Sequence, residues 1–204
     1  MLTGANGSGK SSIARAIAGV GELSCSDEIT FAGEDISTLP ANERACRGIF
    51  LSAQEPVEIP GLTVAEMLRS ALEARGEKIS YNDFQLRIAD ACEKLELNPF
   101  FAQRELNVKM SGGEKKKCEI LQMLVLRPKL VILDEIDSGL DAKSARKISK
   151  ILADYQRESG ASFLIISHNL RINESLTVDK WLKVSDGGVV KMTTEEVNNA
   201  LSHA

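Results

Sequence analysis

Two stretches of the chain are apolar at nearly every position rather than at every second one. Residues Leu130–Asp134 read LVILD, and residues 163–167 read FLIIS. A strand with one face in solvent alternates, whereas a nearly unbroken run is how a strand buried on both faces of a parallel sheet reads. Further strand-like segments lie at 28–32, 48–52, 181–184 and 189–192. Helical spacing of apolar positions predicts helices over 10–18, 64–75, 81–97, 112–126, 142–158 and 194–202. Thr193, with Glu196 three residues on, forms a capping box that starts the last of these. The order of elements then predicts the organisation. Helix-rich, strand-poor sequence fills the stretch from 54 to about 126, while strands and helices alternate on both sides of it. The expected fold is α/β: a core of 1–53 and 129–204 with a mainly parallel sheet, interrupted by a helical subdomain over 54–128.

Composition changes this picture mainly by exclusion. At 43% hydrophobic and 26% charged residues, the 204-residue chain is ordinary globular sequence, which excludes wholesale disorder. A net charge of −4 gives no long-range attraction for nucleic acid or an anionic membrane, so neither is an expected partner. No apolar run approaches the roughly 18 residues of a membrane span, and no secretion signal opens the chain. Cys25, Cys46, Cys92 and Cys118 are scattered without a C-x-x-C pair and read as free thiols of a reducing compartment, the cytoplasm or an organellar equivalent.

The chemistry begins at Gly4-Ala5-Asn6-Gly7-Ser8-Gly9-Lys10-Ser11, which satisfies G-x-x-x-x-G-K-[ST]. The glycines let the backbone turn so that successive N–H groups face phosphate oxygens, and the helix opening near Lys10 adds its positive dipole end. In this pattern the lysine reaches the β- and γ-phosphates and the Ser11 hydroxyl ligates Mg²⁺. Ile13, Ala14, Ile17 and Ala18 then form the apolar face of a helix directly after the loop. The strand feeding the loop is reduced to residues 1–3, so the first strands of such a core are expected to be missing.

A second group of residues completes the set. Asp134 and Glu135 end the LVILD strand; an acid there holds the Mg²⁺ that bridges β- and γ-phosphates, and the next acid orients the attacking water. Taken alone, two acids after a strand are equally well a solvated cap. Ser111-Gly112-Gly113-Glu114 precedes the helix over 112–126 and offers a second anion-binding helix start, or an ordinary N-cap. Two such starts exceed what one ATP needs, unless the second serves another molecule's nucleotide. His168, after the FLIIS strand, can donate to a γ-phosphate, and Gln54, after the strand over 48–52, can contact Mg²⁺ or the lytic water. His203 carries no argument beyond solvation.

In family order, these landmarks resemble the ATP-binding cassette superfamily of P-loop NTPases. Within it the chain is similar to the SufC subfamily, ATPase subunits of the Suf iron–sulfur cluster assembly system. The likeness is carried by 48–61 (GIFLSAQEPVEIPG), 107–123 (NVKMSGGEKKKCEILQM) and 133–141 (LDEIDSGLD). Transporter cassettes usually have glutamine where Glu114 stands, and Pro-Thr where Ile136-Asp137 stand. The resemblance implies Mg-dependent ATP hydrolysis with Glu135, His168 and Gln54 as catalytic residues and Ser11, Gln54 and Asp134 around the metal. Nucleotide contacts are implied for Gly4, Asn6, Gly7, Ser8, Gly9, Lys10, Ser11, Ser12, Ser111, Gly112, Gly113 and the D-loop acid Asp141. Two cassettes would close head to tail, each ATP held between 4–11 of one and 111–113 of the other, and move SufB-like and SufD-like scaffold proteins. The docking surface would include 54–61, and Lys116 would latch Glu135 in the free subunit. Other outcomes remain open at this point: a nucleotide-binding subunit of a membrane transporter, or a truncated cassette that turns over weakly or not at all. The second rests on the front end, where no aromatic residue precedes Gly4 to stack on adenine.

Overall fold

The computed structural model describes residues 1–21, 28–52, 54, 56–136, 141–167, 176–185 and 187–202, with the backbone alone for 142 and 200–202. Contacts divide the chain into two units: Met1–Ala53 with Lys129–Ala204, and Gln54–Pro128.

The first unit is built on a six-stranded sheet. Its strands are β1 (Leu2–Gly4), β4 (Ile49–Ser52), β7 (Leu130–Asp134), β8 (Ser162–Ile166), β9 (Leu182–Ser185) and β10 (Gly188–Lys191), in the order β10-β9-β1-β8-β7-β4. All pairings are parallel except the β9–β10 edge hairpin. The three-residue β1 thus sits inside the sheet, between β8 and β9. Leu2, Ile132, Ile166, Val184 and Ile49 contribute to one buried cluster together with Ala14 from helix α1 (Lys10–Ala18). The continuous apolar runs are explained by this placement: β7 and β8 have strands on both sides and few exposed positions.

Helix α1 is anchored at its far end. Arg44, buried on the short helix α2 (Ala41–Cys46), donates to the carbonyls of Ala16 (2.7 Å), Ile17 (3.0 Å), Ser37 (2.8 Å) and Leu39 (2.8 Å). Carbonyls at a helix C-terminus lack intrahelical donors, so a guanidinium there satisfies them and favours the dipole. Helix α6 (Ala142–Ser159) buries Ala145, Ile148, Leu152 and Tyr155 at helical spacing, and Tyr155 meets Phe163 of β8 edge-on at 6.2 Å. The expected strand over 28–32 shrinks to β2 (Thr30–Phe31), which pairs with β3 (Glu34–Asp35) outside the main sheet. The last helix, α7 (Thr194–Ser202), starts on the Thr193–Glu196 box read from the sequence.

Among the described residues, the second unit holds three α-helices, α3 (Val64–Ala74), α4 (Tyr81–Lys94) and α5 (Gly112–Leu126), and a short 3-10 helix (Phe101–Gln103), with a two-stranded antiparallel sheet of β5 (Ile59–Thr63) and β6 (Glu105–Leu106). Helices α3 and α4 both pack on α5. Val64, Leu68 and Leu72 of α3 are buried, as are Phe84, Ile88 and Ala91 of α4. Among the described residues, no helix is long and apolar enough to cross a membrane.

Candidate functional site

The phosphate-loop sequence forms the turn between β1 and α1. Gly4 must be glycine here: its φ is +149°, and a Cβ would lie 2.7 Å from the Val184 carbonyl and 2.8 Å from Ser8 Oγ. That crowding follows from the β1–β9 register, which sets Gly4 opposite Val184. Gly9 is the N-cap of α1 in a left-handed conformation, and no side chain caps the helix. The first N–H groups of α1 therefore remain available to an anion, as the first turn of any helix leaves them. Lys10 is 6% exposed, and its Nζ donates to the carbonyls of Gly4 and Ala5, each at 2.9 Å. An ammonium has three donors, so one N–H remains for an anionic oxygen beside the loop. Ser11 is half-buried, and Ser12, Asn6 and Gly7 are exposed.

At the C-terminal end of β7, Asp134 pairs in register with Ile166 of β8, and Leu2 of β1 pairs with the same Ile166. The loop and the acid thus rise from the same edge of the sheet, on strands about 10 Å apart. This is the edge where open α/β sheets bind ligands. Asp134 is 3% exposed, and its Oδ1 is buried without a hydrogen-bond partner among the described residues. Leaving a buried carboxylate oxygen unpaired costs about 1–3 kcal/mol or more, and a divalent cation or water in its shell would satisfy it. An acid with an open buried oxygen and the Ser11 hydroxyl, on the loop at the same sheet edge, are hard oxygen donors, the set Mg²⁺ takes. The residues present therefore fit that ion.

Glu135 is half-buried and has φ +55°, left-handed for a residue with a Cβ. Its N–H donates to the Ile166 carbonyl at 2.9 Å, which holds the turn in place. Such backbone strain costs about 1–3 kcal/mol and concentrates at functional positions. Gln54 is exposed. Asp141 is the N-cap of α6: its carboxylate accepts from the N–H groups of Lys143 and Ser144 at 2.9 Å and from Ser144 Oγ at 2.8 Å. Those Ser144 donors, backbone first, hold its carboxyl below the usual value. His168, and the D-loop residues 138–140, lie outside the described residues.

In the second unit, Ser111 is the N-cap of α5 and closes a full capping box. Glu114 N–H donates to Ser111 Oγ at 3.3 Å, and Ser111 N–H donates to Glu114 Oε2 at 2.9 Å. The backbone donor at Ser111, then the Arg104 guanidinium, holds the Glu114 carboxyl below its ordinary value. Ser-x-x-Glu before a helix is a readable capping signal, and it gives Glu114 a structural role beside its value as a family marker. Arg104 carried no sequence signal: it sits over the Phe101 ring at 5.4 Å and pairs with Glu114. Ser111 and Gly113 border an open hollow of about 630 Å³ with Phe100, Arg104 and Lys117. Lys116 is 6% exposed, and its Nζ has no hydrogen-bond partner among the described residues. Cys92 and Cys118 are buried, and burial pushes the Cys118 thiol up to about 11, while Cys46 is exposed.

Comparison with known proteins places this geometry. A family model described as ABC transporter matches residues 1–138. A probable ATP-dependent transporter of Synechocystis is 39% identical over 202 residues, covering 96% of this chain and 78% of that protein. The iron-sulfur cluster assembly protein SufC of Plasmodium falciparum is 41% identical over 181 residues, covering 86% of this chain and 52% of that protein. Among solved structures, the ATP-binding cassette MJ0796, dimeric in a post-hydrolysis state bound to ADP and Pi, matches with a TM-score of 0.77. It is 22% identical, over 94% of this chain and 84% of that one, a likeness of fold.

Proposed function

Since the chain belongs to the ABC transporter family of ATP-binding cassettes, we propose that it is an Mg-dependent ATPase subunit that drives a conformational change in an iron–sulfur cluster scaffold. The observation that carries the ATPase reading is the shared sheet edge: a buried Lys10 ammonium folded over the phosphate loop, and Asp134 with an unpaired buried oxygen two strands away.

The loop N–H groups and Lys10 bind the β- and γ-phosphates, and Ser11 and Asp134, with Gln54, are the residues that would hold Mg²⁺. Bound there, such an ion would supply positive charge against the negative charge that develops on the phosphate oxygens. Glu135 sits one residue beyond Asp134 on a strained turn, where its carboxylate orients the attacking water and takes its proton. His168 donates to the γ-phosphate. Ser111–Gly113 of a second copy meet that phosphate through the start of α5, so turnover requires a head-to-tail pair. The dimeric fold neighbour supports such pairing as a use of this architecture.

The scaffold reading rests on the SufC relative and on the segments over 48–61, 107–123 and 133–141. SufB-like and SufD-like proteins would be the partners, in the cytoplasm or an organellar equivalent. A second reading, a transporter's nucleotide-binding subunit, is favoured by the Synechocystis relative's description. Pull-down of the tagged chain separates the two: a SufB-like protein supports the first, a polytopic membrane protein the second. For the chemistry, Glu135→Gln should keep ATP bound and accumulate the closed pair while turnover falls by about 10²–10⁴. Turnover equal to that of the unaltered chain would remove Glu135 from the mechanism.

A further inference from the structure

The approach to α5 carries more strain and more long-range bonding than a helix start needs. Asn107 is 4% exposed and has φ +61°, and two residues later Lys109 has φ +52°. Left-handed backbone is unfavourable for most residues with a Cβ, Asn being the readiest to adopt it and Lys not, and a contact that holds the segment offsets the cost. That contact is visible. Asn107 Nδ2 donates at 2.8 Å to the carbonyl of Val57, fifty residues earlier in the chain. That carbonyl can only accept, so the amide nitrogen must face it, and Oδ1 is left buried without a hydrogen-bond partner among the described residues. An apolar side chain would fill this space without an orphaned oxygen. The amide therefore serves the bond to Val57 rather than packing.

Two more bonds join the same pair of segments. Lys115 Nζ, just inside α5, pairs with Glu58 Oε1 at 2.8 Å. Glu105 Oε1 accepts from the Gly61 N–H at 3.1 Å, where β6 pairs with β5. The arm over 57–61 is thus tied at three places to the segment over 105–115 that presents Ser111. On the arm, Val57 is 74% exposed and Ile59 40% exposed.

We propose that Asn107 is a positioning residue that locks the 57–61 arm to the backbone carrying Ser111, so that pressure on the arm changes how Ser111 is presented to a nucleotide held by a second copy. This rests on the reading of Ser111–Gly113 as the surface that meets that nucleotide.

The test uses the full chain carrying Glu135→Gln, with ATP-driven dimerisation followed by sedimentation and single-chain binding followed with a fluorescent ATP analogue. Asn107→Gly tolerates the left-handed backbone but removes the amide. It should weaken dimerisation about tenfold, the worth of one well-placed buried bond, and leave single-chain nucleotide affinity within about twofold. Asn107→Asp keeps the shape but turns a carboxylate towards the Val57 carbonyl. Burial beside that acceptor raises its pKa, so at about pH 8 it should behave like Asn107→Gly. Towards about pH 5.5 the protonated acid can donate, and dimerisation should recover relative to the parent at the same pH. A purely structural residue would lower the melting temperature of both variants and leave dimerisation of the folded chain equal to the parent's at either pH. If Asn107→Gly does not fold, Lys115→Met removes the exposed tie and should weaken dimerisation about two- to threefold. Dimerisation equal to the parent in these variants overturns the inference alone. A Glu135→Gln parent that never dimerises with ATP overturns both the inference and the reading beneath it.

Discussion

Two helices of this chain begin in opposite ways. α1 starts on Gly9 with no side-chain cap, after a loop whose glycines adopt conformations other residues avoid. α5 starts on Ser111 with both arms of a capping box closed and an arginine on its glutamate. The first start is open because its N–H groups have not been given partners by the protein. The second has two donors closed by the box before any ligand arrives, so an anion reaching it meets the N–H groups of Gly112 and Gly113 beside an ionised Glu114. On the proposed reading, this difference separates a site that grips phosphate by itself from one that only adds to a grip made elsewhere.

Mutations at the two starts should divide accordingly. Lys10→Ala removes the charge that the open start depends on; nucleotide binding by the single chain should fall more than about a hundredfold, as for loss of a charged ligand contact. Titration with a fluorescent nucleotide measures it, and binding within a few-fold of the unaltered chain would erase the contrast. Ser111→Ala should leave that single-chain binding unchanged. Its effect is on the helix, a loss of about 1 kcal/mol in stability read from denaturant unfolding, and on ATP-driven pairing. If Ser111→Ala instead abolished single-chain binding, the second start would not be subsidiary.

The smallest effect is pH-dependent. The Glu114 carboxyl is lowered in the folded chain, so its contribution is present above its unfolded value and is lost as pH falls through its folded value. Glu114→Gln should flatten this acid-side decline in melting temperature, while the variant's stability near neutral pH changes little. Melting curves from about pH 3 to pH 7 decide it, and an unaltered acid slope would show that the box adds no charge-dependent stability.

Much of this architecture is legible in the sequence, and the illegible parts share a cause. The phosphate loop, the buried strands β7 and β8 and the amphipathic helices announce themselves because each is specified within a short window. The hairpin β2–β3, helix α2 and the pair β5–β6 do not, since they are two to six residues long and have no period to read. They are held by distant partners, the Ala16 and Ile17 carbonyls that accept from Arg44 of α2 and the Asn107 amide that donates to the arm before β5. The left-handed turn at Glu135 was equally hidden, because a hydrogen bond to Ile166 selects it. The box at Ser111 was readable, but a helix start bearing glycines reads first as an anion site.

The placement of β1 has a bearing on synthesis. Its neighbours β8 and β9 both follow it by most of the polypeptide, and the Val184 carbonyl forms the floor beneath Gly4. On a ribosome the phosphate loop therefore emerges long before the strands that shape it, and contacts this distant in sequence form late. ATP cannot act as a folding ligand for the nascent chain until the edge hairpin has appeared, so premature termination ahead of β9 should yield a product that no nucleotide can rescue.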